Sequence, residues 1–271
     1  MLSPLDFVAR EDVNMSEQPE RMAAAAFGLI VVGSEVLDGR RNDAHFDYAR
    51  QLLRAHELEL KYALIVPDDE VLLEAQLRWA MARREPFFCC GGIGATPDDL
   101  TRQCAARAAG VGLEFHPEGV AILERRWGKD ATPARLRMVE FPAGSALVPN
   151  PFNQVPGFSI RNGYFVPGFP EMAHPMMAWV LETLYLSGEP RDSGALVLPG
   201  AREADLSDLM EAFVAAHPDV SFSSLPRYAP GGTELHLGVS GLRRRVGPAF
   251  ADLQLRLSER GLMFTVTRPP A

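Results

Sequence analysis

Nine consecutive residues, Gly91-Gly92-Ile93-Gly94-Ala95-Thr96-Pro97-Asp98-Asp99, combine the residue types needed to hold an anion. Gly91, Gly92 and Gly94 allow positive φ and a close backbone approach. Thr96 is suited to cap a helix, and Pro97 to open its first turn. The free N–H groups of a helix start attract a phosphate-like group. Asp98 and Asp99 are expected in that same first turn. One carboxylate there complements the helix dipole; a pair beside a glycine loop suggests coordination of Mg²⁺ bridging to phosphate. The plain alternative is that both aspartates merely stabilise the helix start.

A second cluster is Gly33-Ser34-Glu35-Val36-Leu37-Asp38-Gly39-Arg40-Arg41-Asn42-Asp43. Glu35 places an acid beside a glycine turn, and Asn42 and Asp43 offer polar contacts before the next helix. A capped strand-to-helix connection explains the same residues without a ligand. At Pro67-Asp68-Asp69 the simple reading is a helix N-cap by either aspartate. The rigid turns Pro149-Asn150-Pro151-Phe152-Asn153, Pro156-Gly157-Phe158 and Pro167-Gly168-Phe169-Pro170 are of a kind that shapes a pocket wall or simply redirects the chain. The six histidines form no metal-spaced pair, and His45, nearest the candidate loops, is expected at the surface. There is no Ser-His-Asp or Cys-His arrangement and no GxGxxG or Walker loop.

These loops need strands to carry them. Phe27-Gly28-Leu29-Ile30-Val31-Val32, Tyr62-Ala63-Leu64-Ile65-Val66 and Pro86-Phe87-Phe88-Cys89-Cys90 are short apolar runs, as buried parallel strands require. Helical spacing predicts helices over 46–56, 71–80 and 98–109, so the alternation implies a parallel sheet covered on both faces. The three loops then share the carboxyl edge of the sheet, where such folds bind ligands. A helix is predicted over 117–127, a hairpin turning at Asn162-Gly163 over 157–166, and a long helix over 171–186. Residues 187–194 have a linker's composition. Beyond them the order βαββαβ suggests a small ferredoxin-like α+β domain over 194–271, with a first domain over 27–188. Residues 1–26 are expected to be a flexible tail or the product of a start codon placed too early.

The chain has 271 residues, 47% of them hydrophobic and 23% charged, which suits one large globular domain or two modest ones. Its net charge of -8 argues against a nucleic-acid partner. No apolar run approaches the roughly 20 residues of a membrane span, and no signal-peptide pattern opens the chain, so no membrane partner is expected. Cys89, Cys90 and Cys104 lack zinc-site spacing and are expected as buried reduced thiols in a cytoplasmic protein.

The order and spacing of Gly33-Ser34-Glu35-Val36-Leu37-Asp38-Gly39, Val66-Pro67-Asp68-Asp69, Gly91 to Arg102, Asn150-Pro151, Pro156-Gly157-Phe158 and Pro167-Gly168-Phe169-Pro170 resemble the molybdopterin-binding (MoCF biosynthesis) domain of the competence/damage-inducible CinA family. The resemblance covers about Phe27 to Leu186, and its most specific part is the loop from Gly91 to Thr101. It implies a three-layer α/β/α domain with its ligand at the glycine loops. Proteins with this domain include molybdopterin adenylyltransferases, molybdopterin-inserting enzymes and nucleotide pyrophosphatases acting on ADP-ribose or FAD. It therefore implies molybdopterin or a nucleotide as ligand, a divalent metal such as Mg²⁺, and a homo-oligomer. Glu35, Asp98 and Asp99 match the family's acidic residues, with Asp98 and Asp99 as metal ligands. Gly91, Gly92, Gly94 and Thr96 match its phosphate cradle. Gly33, Ser34, Gly39, Asn42, Asp43, Ile93, Ala95, Thr101, Asn150, Pro167 and Gly168 complete the expected binding set.

The sequence also departs from the family. Ser34 stands where Asp or Thr is common, Ala95 where Pro is, and Pro67 where Gly is; Glu171 follows Pro170 directly, so no role is carried to it. No counterpart of the nicotinamide-nucleotide amidase domain is expected. Two readings stay open, metal-assisted attack on a phosphoanhydride and a non-catalytic module that binds or senses a pterin or nucleotide.

Overall fold

The computed structural model describes residues 21–229 and 232–270. Its contacts divide into two compact units between Gly188 and Glu189.

The first unit is built on a sheet of six strands in the order β2-β1-β3-β8-β7-β6. These are β1 (Ala26–Val32), β2 (Glu59–Val66), β3 (Phe87–Cys90), β6 (Ala146–Val148), β7 (Gly157–Ile160) and β8 (Gly163–Val166). β2, β1, β3 and β8 run parallel, while β7 is antiparallel to both its neighbours. All seven residues of β1 are buried, because the strand is covered on both faces. Its alternate side chains enter two separate cores. Ile30 and Val32 pack with Leu73, Leu77 and Ala80 of α3 (Glu70–Met81), Cys104 and Ala105 of α4 (Thr101–Ala109), and Leu123 of α5 (Pro117–Trp127). Phe27, Leu29 and Val31 pack with Ala49 and Leu53 of α2 (His45–Ala55) and with Met176, Met177 and Val180 of α7 (Pro170–Leu184). The result is the three-layer α/β/α arrangement. A short α1 (Ser34–Leu37) follows β1, α6 (Pro133–Leu136) follows α5, and β4 (Leu113–Phe115) pairs with β5 (Glu140–Pro142) beside the main sheet. Cys89, Cys90 and Cys104 are buried free thiols.

Two local expectations are corrected. The hairpin turns at Arg161-Asn162, with Arg161 at φ 56°, rather than at Asn162-Gly163. Gly163 belongs to β8, where a Cβ would lie 2.6 Å from the Phe87 ring, so close packing explains this glycine. Asn162 donates its amide to the carbonyls of Ala80, Arg83 and Glu85, tying the hairpin to the end of α3. At the amino end, residues 1–20 of the expected tail lie outside the described residues. Met22 already exchanges backbone hydrogen bonds with the end of α7, to Leu184 O and from Leu186 N, so residues 22–26 are part of the fold.

The second unit contains β9 (Arg191–Pro199), α8 (Ser207–Ala216), β10 (Val220–Ala229), β11 (Gly232–Leu242), α9 (Arg243–Glu259) and β12 (Thr265–Arg268). The antiparallel sheet order β10-β11-β9-β12 is the ferredoxin-like βαββαβ topology. β9 begins at Arg191, inside the stretch whose composition suggests a linker. Leu235, Leu237 and Val239 alternate along β11 into one face, where Phe213 of α8 and Phe250 and Leu253 of α9 cover them. Among the described residues no helix is long and apolar enough to cross a membrane.

Phe165 is fully buried and stacks on Phe158 with ring centroids 4.5 Å apart. Phe165→Ala is expected to destabilise the first unit by about 3–5 kcal/mol, the range for truncating a buried aromatic. A denaturant titration followed by tryptophan fluorescence measures it.

Candidate functional site

The loops after β1, β2, β3 and β8 meet at the carboxyl edge of the parallel strands around a cavity of about 470 Å³, within the range of small-molecule sites. Its lining contains Gly33, Glu35, Gly91, Gly92, Ile93, Gly94, Ala95, Thr96, Asp98, Asp99, Asn150, Pro167 and Gly168 of the expected set. It also contains Arg41, Asp68, Met138, Asn153, Val155, Pro156, Phe169 and Met172, which the sequence does not single out as ligand contacts. The two groups differ in character. Glycines and acids supply one part of the lining; Met138, Val155, Pro156, Phe169 and Met172 supply its apolar wall.

The glycine loop is held from below. Gly91 lies at φ 109° and Gly92 at φ 67°. A Cβ on Gly91 would run into Val32 O, and one on Gly92 into Thr101 Oγ1, so a side chain is barred twice over. Thr101 lies outside the cavity lining. It is fully buried, donates its hydroxyl to Gly91 O at 2.8 Å and its N–H to Gly92 O at 2.9 Å. Arg102, 3% exposed, donates to Gly94 O at 2.8 Å and to the carbonyls of Arg137 and Glu140. Burial lowers its pKa, against the opposing pull of Glu140 and Asp99. With the carbonyls fixed, the N–H groups of Gly92, Ile93, Gly94 and Ala95 have no acceptor among the described residues. Such a run of open donors is of the kind that suits an anion.

The helix after this loop starts at Thr101, with no acidic residue in its first turn, which corrects the expected start at Asp98. The intervening residues form their own turn. Asp99 N–H donates to Thr96 O, and Asp99 Oδ2 accepts from Thr96 N–H at 2.8 Å and from the Thr96 hydroxyl. Thr96 therefore does not cap α4. The hydroxyl carries one proton, which this geometry gives to Asp99; the Asp98 pKa is lowered, by the nearby Thr96 side chain first and its own backbone N–H second. Among the described residues no three His, Cys, Asp or Glu side chains are placed to hold a metal ion. With Asp99 Oδ2 engaged by Thr96, the expected Asp98/Asp99 metal site has no assembled donor set here.

The remaining expected residues have varied places. Ser34 and Asp68 clamp two loops together: Ser34 N–H donates to Asp68 Oδ2 at 2.8 Å, and Asp68 N–H to Ser34 Oγ at 3.0 Å. Ser34 is outside the cavity lining, Asp68 is in it, and Asp69 is the residue that caps α3, through Leu72 N–H. Asp43 accepts from the N–H groups of His45 and Phe46 at the start of α2. Asn42 and Asp43 line a separate recess of about 20 Å³ that adjoins Glu35, Arg41 and Gly168. Gly39 lies in a turn at φ 78° and lines neither space. Asn150, buried, organises its own turn by donating to Asn153 Oδ1 and accepting from Phe152 N–H.

His45 is corrected from a surface residue to a buried one, 4% exposed. Its Nε2 lies 3.3 Å from Gly168 O, at the rim of the cavity, and its ring meets His174 edge to face at 5.4 Å. The pattern gave no warning, because the ring is covered by the Pro167-Gly168 turn, 123 residues away. Burial is the largest cause lowering the pKa of both histidines.

A family described as "Probable molybdopterin binding domain" matches residues 28–186. A CinA-like protein of Geobacter sp. (strain M21) is 31% identical over 254 residues, covering 86% of this chain and 61% of that protein. A CinA-like protein of Citrifermentans bemidjiense is 32% identical over 220 residues, 77% of this chain and 52% of that protein. The chain thus spans little more than half the length of these relatives. The crystal structure of "the protein CinA with unknown function" from Thermoplasma acidophilum superposes with a TM-score of 0.55 at 25% identity, covering 59% of this chain and 98% of that one.

Two predictions rest on this geometry. Thr101→Val strands the buried Gly91 carbonyl and is expected to cost about 1–3 kcal/mol, read from the denaturant midpoint. As pH falls below the ordinary histidine value of 6.5, the unfolded chain takes up protons that the buried His45 and the half-buried His174 refuse. Stability is therefore present above pH 6.5 and lost as the pH falls through the lowered folded values. His45→Gln is expected to flatten that loss in melting curves recorded across the acid range; an unchanged slope would contradict the assignment.

Proposed function

The chain belongs to the molybdopterin-binding domain family, and on that premise we propose that its cavity binds a small phosphate-bearing ligand, a molybdopterin or a nucleotide. The observation that carries the proposal is the run of open N–H groups from Gly92 to Ala95 in a cavity whose lining is also partly apolar. Phosphate oxygens match the donors, and a flat pterin or adenine ring matches Met138, Val155 and Phe169. The relatives' full-length activities enter only as candidates, since the chain spans part of them.

A second reading, turnover, is favoured by the presence of Glu35, Asp98 and Asp99 in the same lining. They are acids beside the place a pyrophosphate would lie, so adenylyl transfer to molybdopterin and cleavage of ADP-ribose or FAD are the reactions to test. The divalent metal implied by the resemblance does not fit the donor set described above, and binding is assigned to the loop rather than to a metal. A homo-oligomer in the cytoplasm is likewise a proposal from the resemblance, tested by light scattering and fractionation.

The test is calorimetric titration with ADP-ribose, FAD, ATP and molybdopterin, with and without EDTA, and a parallel screen for product with Mg²⁺, Mn²⁺ or Co²⁺. Saturable binding of a phosphate-bearing ligand, lost when Gly92→Ala closes the loop, is the expected result. Absence of binding by all four ligands would sink the proposal. Product formation by the wild type but not by Asp98→Asn would add turnover; binding without product in every condition would restrict the chain to the first reading.

A further inference from the structure

The cavity's lining carries four carboxylates, Glu35, Asp68, Asp98 and Asp99, against a single cation, Arg41. An acidic surround repels an anionic ligand, so the placement of that cation decides how a phosphate is received. Asp68 already accepts a backbone hydrogen bond that ties two loops together, and Asp99 one that closes its own turn. Arg41 differs: its side chain makes no hydrogen bond among the described residues. The nearest carboxylate, Glu35, lies 4.0 Å from Nη1, beyond hydrogen-bonding distance.

Its position is nonetheless fixed. Arg41 N–H donates to Glu35 O at 2.9 Å, which closes the loop after β1. The guanidinium carbon stands 5.3 Å from the centre of the Phe169 ring, so the fork rests on an aromatic face at the cavity wall. The neighbouring Arg40 is instead held at 2.7 Å by Asp38 and lines no part of the cavity. A planar fork with open donors, seated on a ring in a cavity that also holds a glycine cradle, is suited to bidentate contact with a phosphoryl group.

We propose that Arg41 is the specificity-determining residue of this cavity, selecting ligands that carry a phosphoryl or pyrophosphoryl group by clamping that group against the Gly92–Ala95 loop, with Phe169 holding the guanidinium in place. The inference rests on the reading of the cavity as a ligand site and adds which ligands enter it and through which side chain. Arg41 supplies the positive charge that the assembled acids lack, so phosphate recognition proceeds without a preassembled metal.

The experiment compares wild type, Arg41→Gln, Arg41→Lys and the control Arg40→Gln by calorimetric titration with ADP-ribose in EDTA, across a salt series, with melting midpoints recorded for each. Wild type is expected to bind, more weakly as salt rises. Arg41→Gln should lose about tenfold or more in affinity, as expected for a charge-assisted pair, with a shallower salt dependence and a melting midpoint close to wild type. Arg41→Lys should recover part of the loss, and Arg40→Gln should match wild type. If wild type binds ADP-ribose and Arg41→Gln binds it equally well with the same salt dependence, the assignment of Arg41 is overturned while the ligand site stands. Binding by wild type that requires Mg²⁺ also overturns it. If wild type binds no phosphate-bearing ligand under any condition, the site reading itself fails.

Discussion

The chain leaving β3 must turn back beneath itself to start α4, and the buried hydrogen bonds from Thr101 to Gly91 and Gly92 make that turn possible. Two consecutive glycines at positive φ would otherwise be a loose segment. Here their carbonyls are fixed from below, Arg102 fixes that of Gly94, and the N–H groups of the loop are left for something else to satisfy. The penalty for leaving buried polar groups unpaired explains why Thr101 and Arg102, neither of which lines the cavity, are as tightly integrated as the apolar core.

The acidic residues follow a similar logic. Asp68, Asp69, Asp99 and Asp43 all accept backbone N–H groups near loop or helix starts, where a carboxylate completes a donor that the backbone leaves open. Their primary work is to shape three neighbouring loops, those after β1, β2 and β3. Glu35 and Asp98 border the same cavity, but among the described residues no three acidic, His or Cys side chains draw together to hold a metal ion. The cavity thus combines hydrogen-bonded polar loops with apolar side chains, which suits a ligand with a charged group and a flat ring. The ferredoxin-like unit has its own core and depends on none of these interactions.

Much of this was legible in the residues. The apolar runs at 27–32, 62–66 and 86–90 specify parallel strands, because a strand buried on both faces has few places for polar residues. The same pattern puts the three loops on one edge, so most of the cavity's polar lining could be located. Boundaries were less visible. The start of α4 moved to Thr101 because Thr96 and Asp99 satisfy each other in a turn of their own, a competition that side-chain types alone do not settle. At Asn162-Gly163 a familiar turn signal was misleading, since Gly163 serves the packing of Phe87 and Asn162 serves the end of α3.

The sequence by itself determined the three-layer architecture, the βαββαβ order of the second unit and the glycine loop, since each is encoded in local periodicity or in residues whose backbone freedom is intrinsic. Tertiary structure decided the rest. Arg41 and Phe169 are 128 positions apart in the chain and meet because β1 and β8 both end at the same edge of the sheet. His45 is buried because a distant turn covers it, and the apolar wall is assembled from segments without a common motif. The physical reason is that a side chain's exposure, partners and charge environment depend on what the fold places opposite it, which sequence spacing does not record.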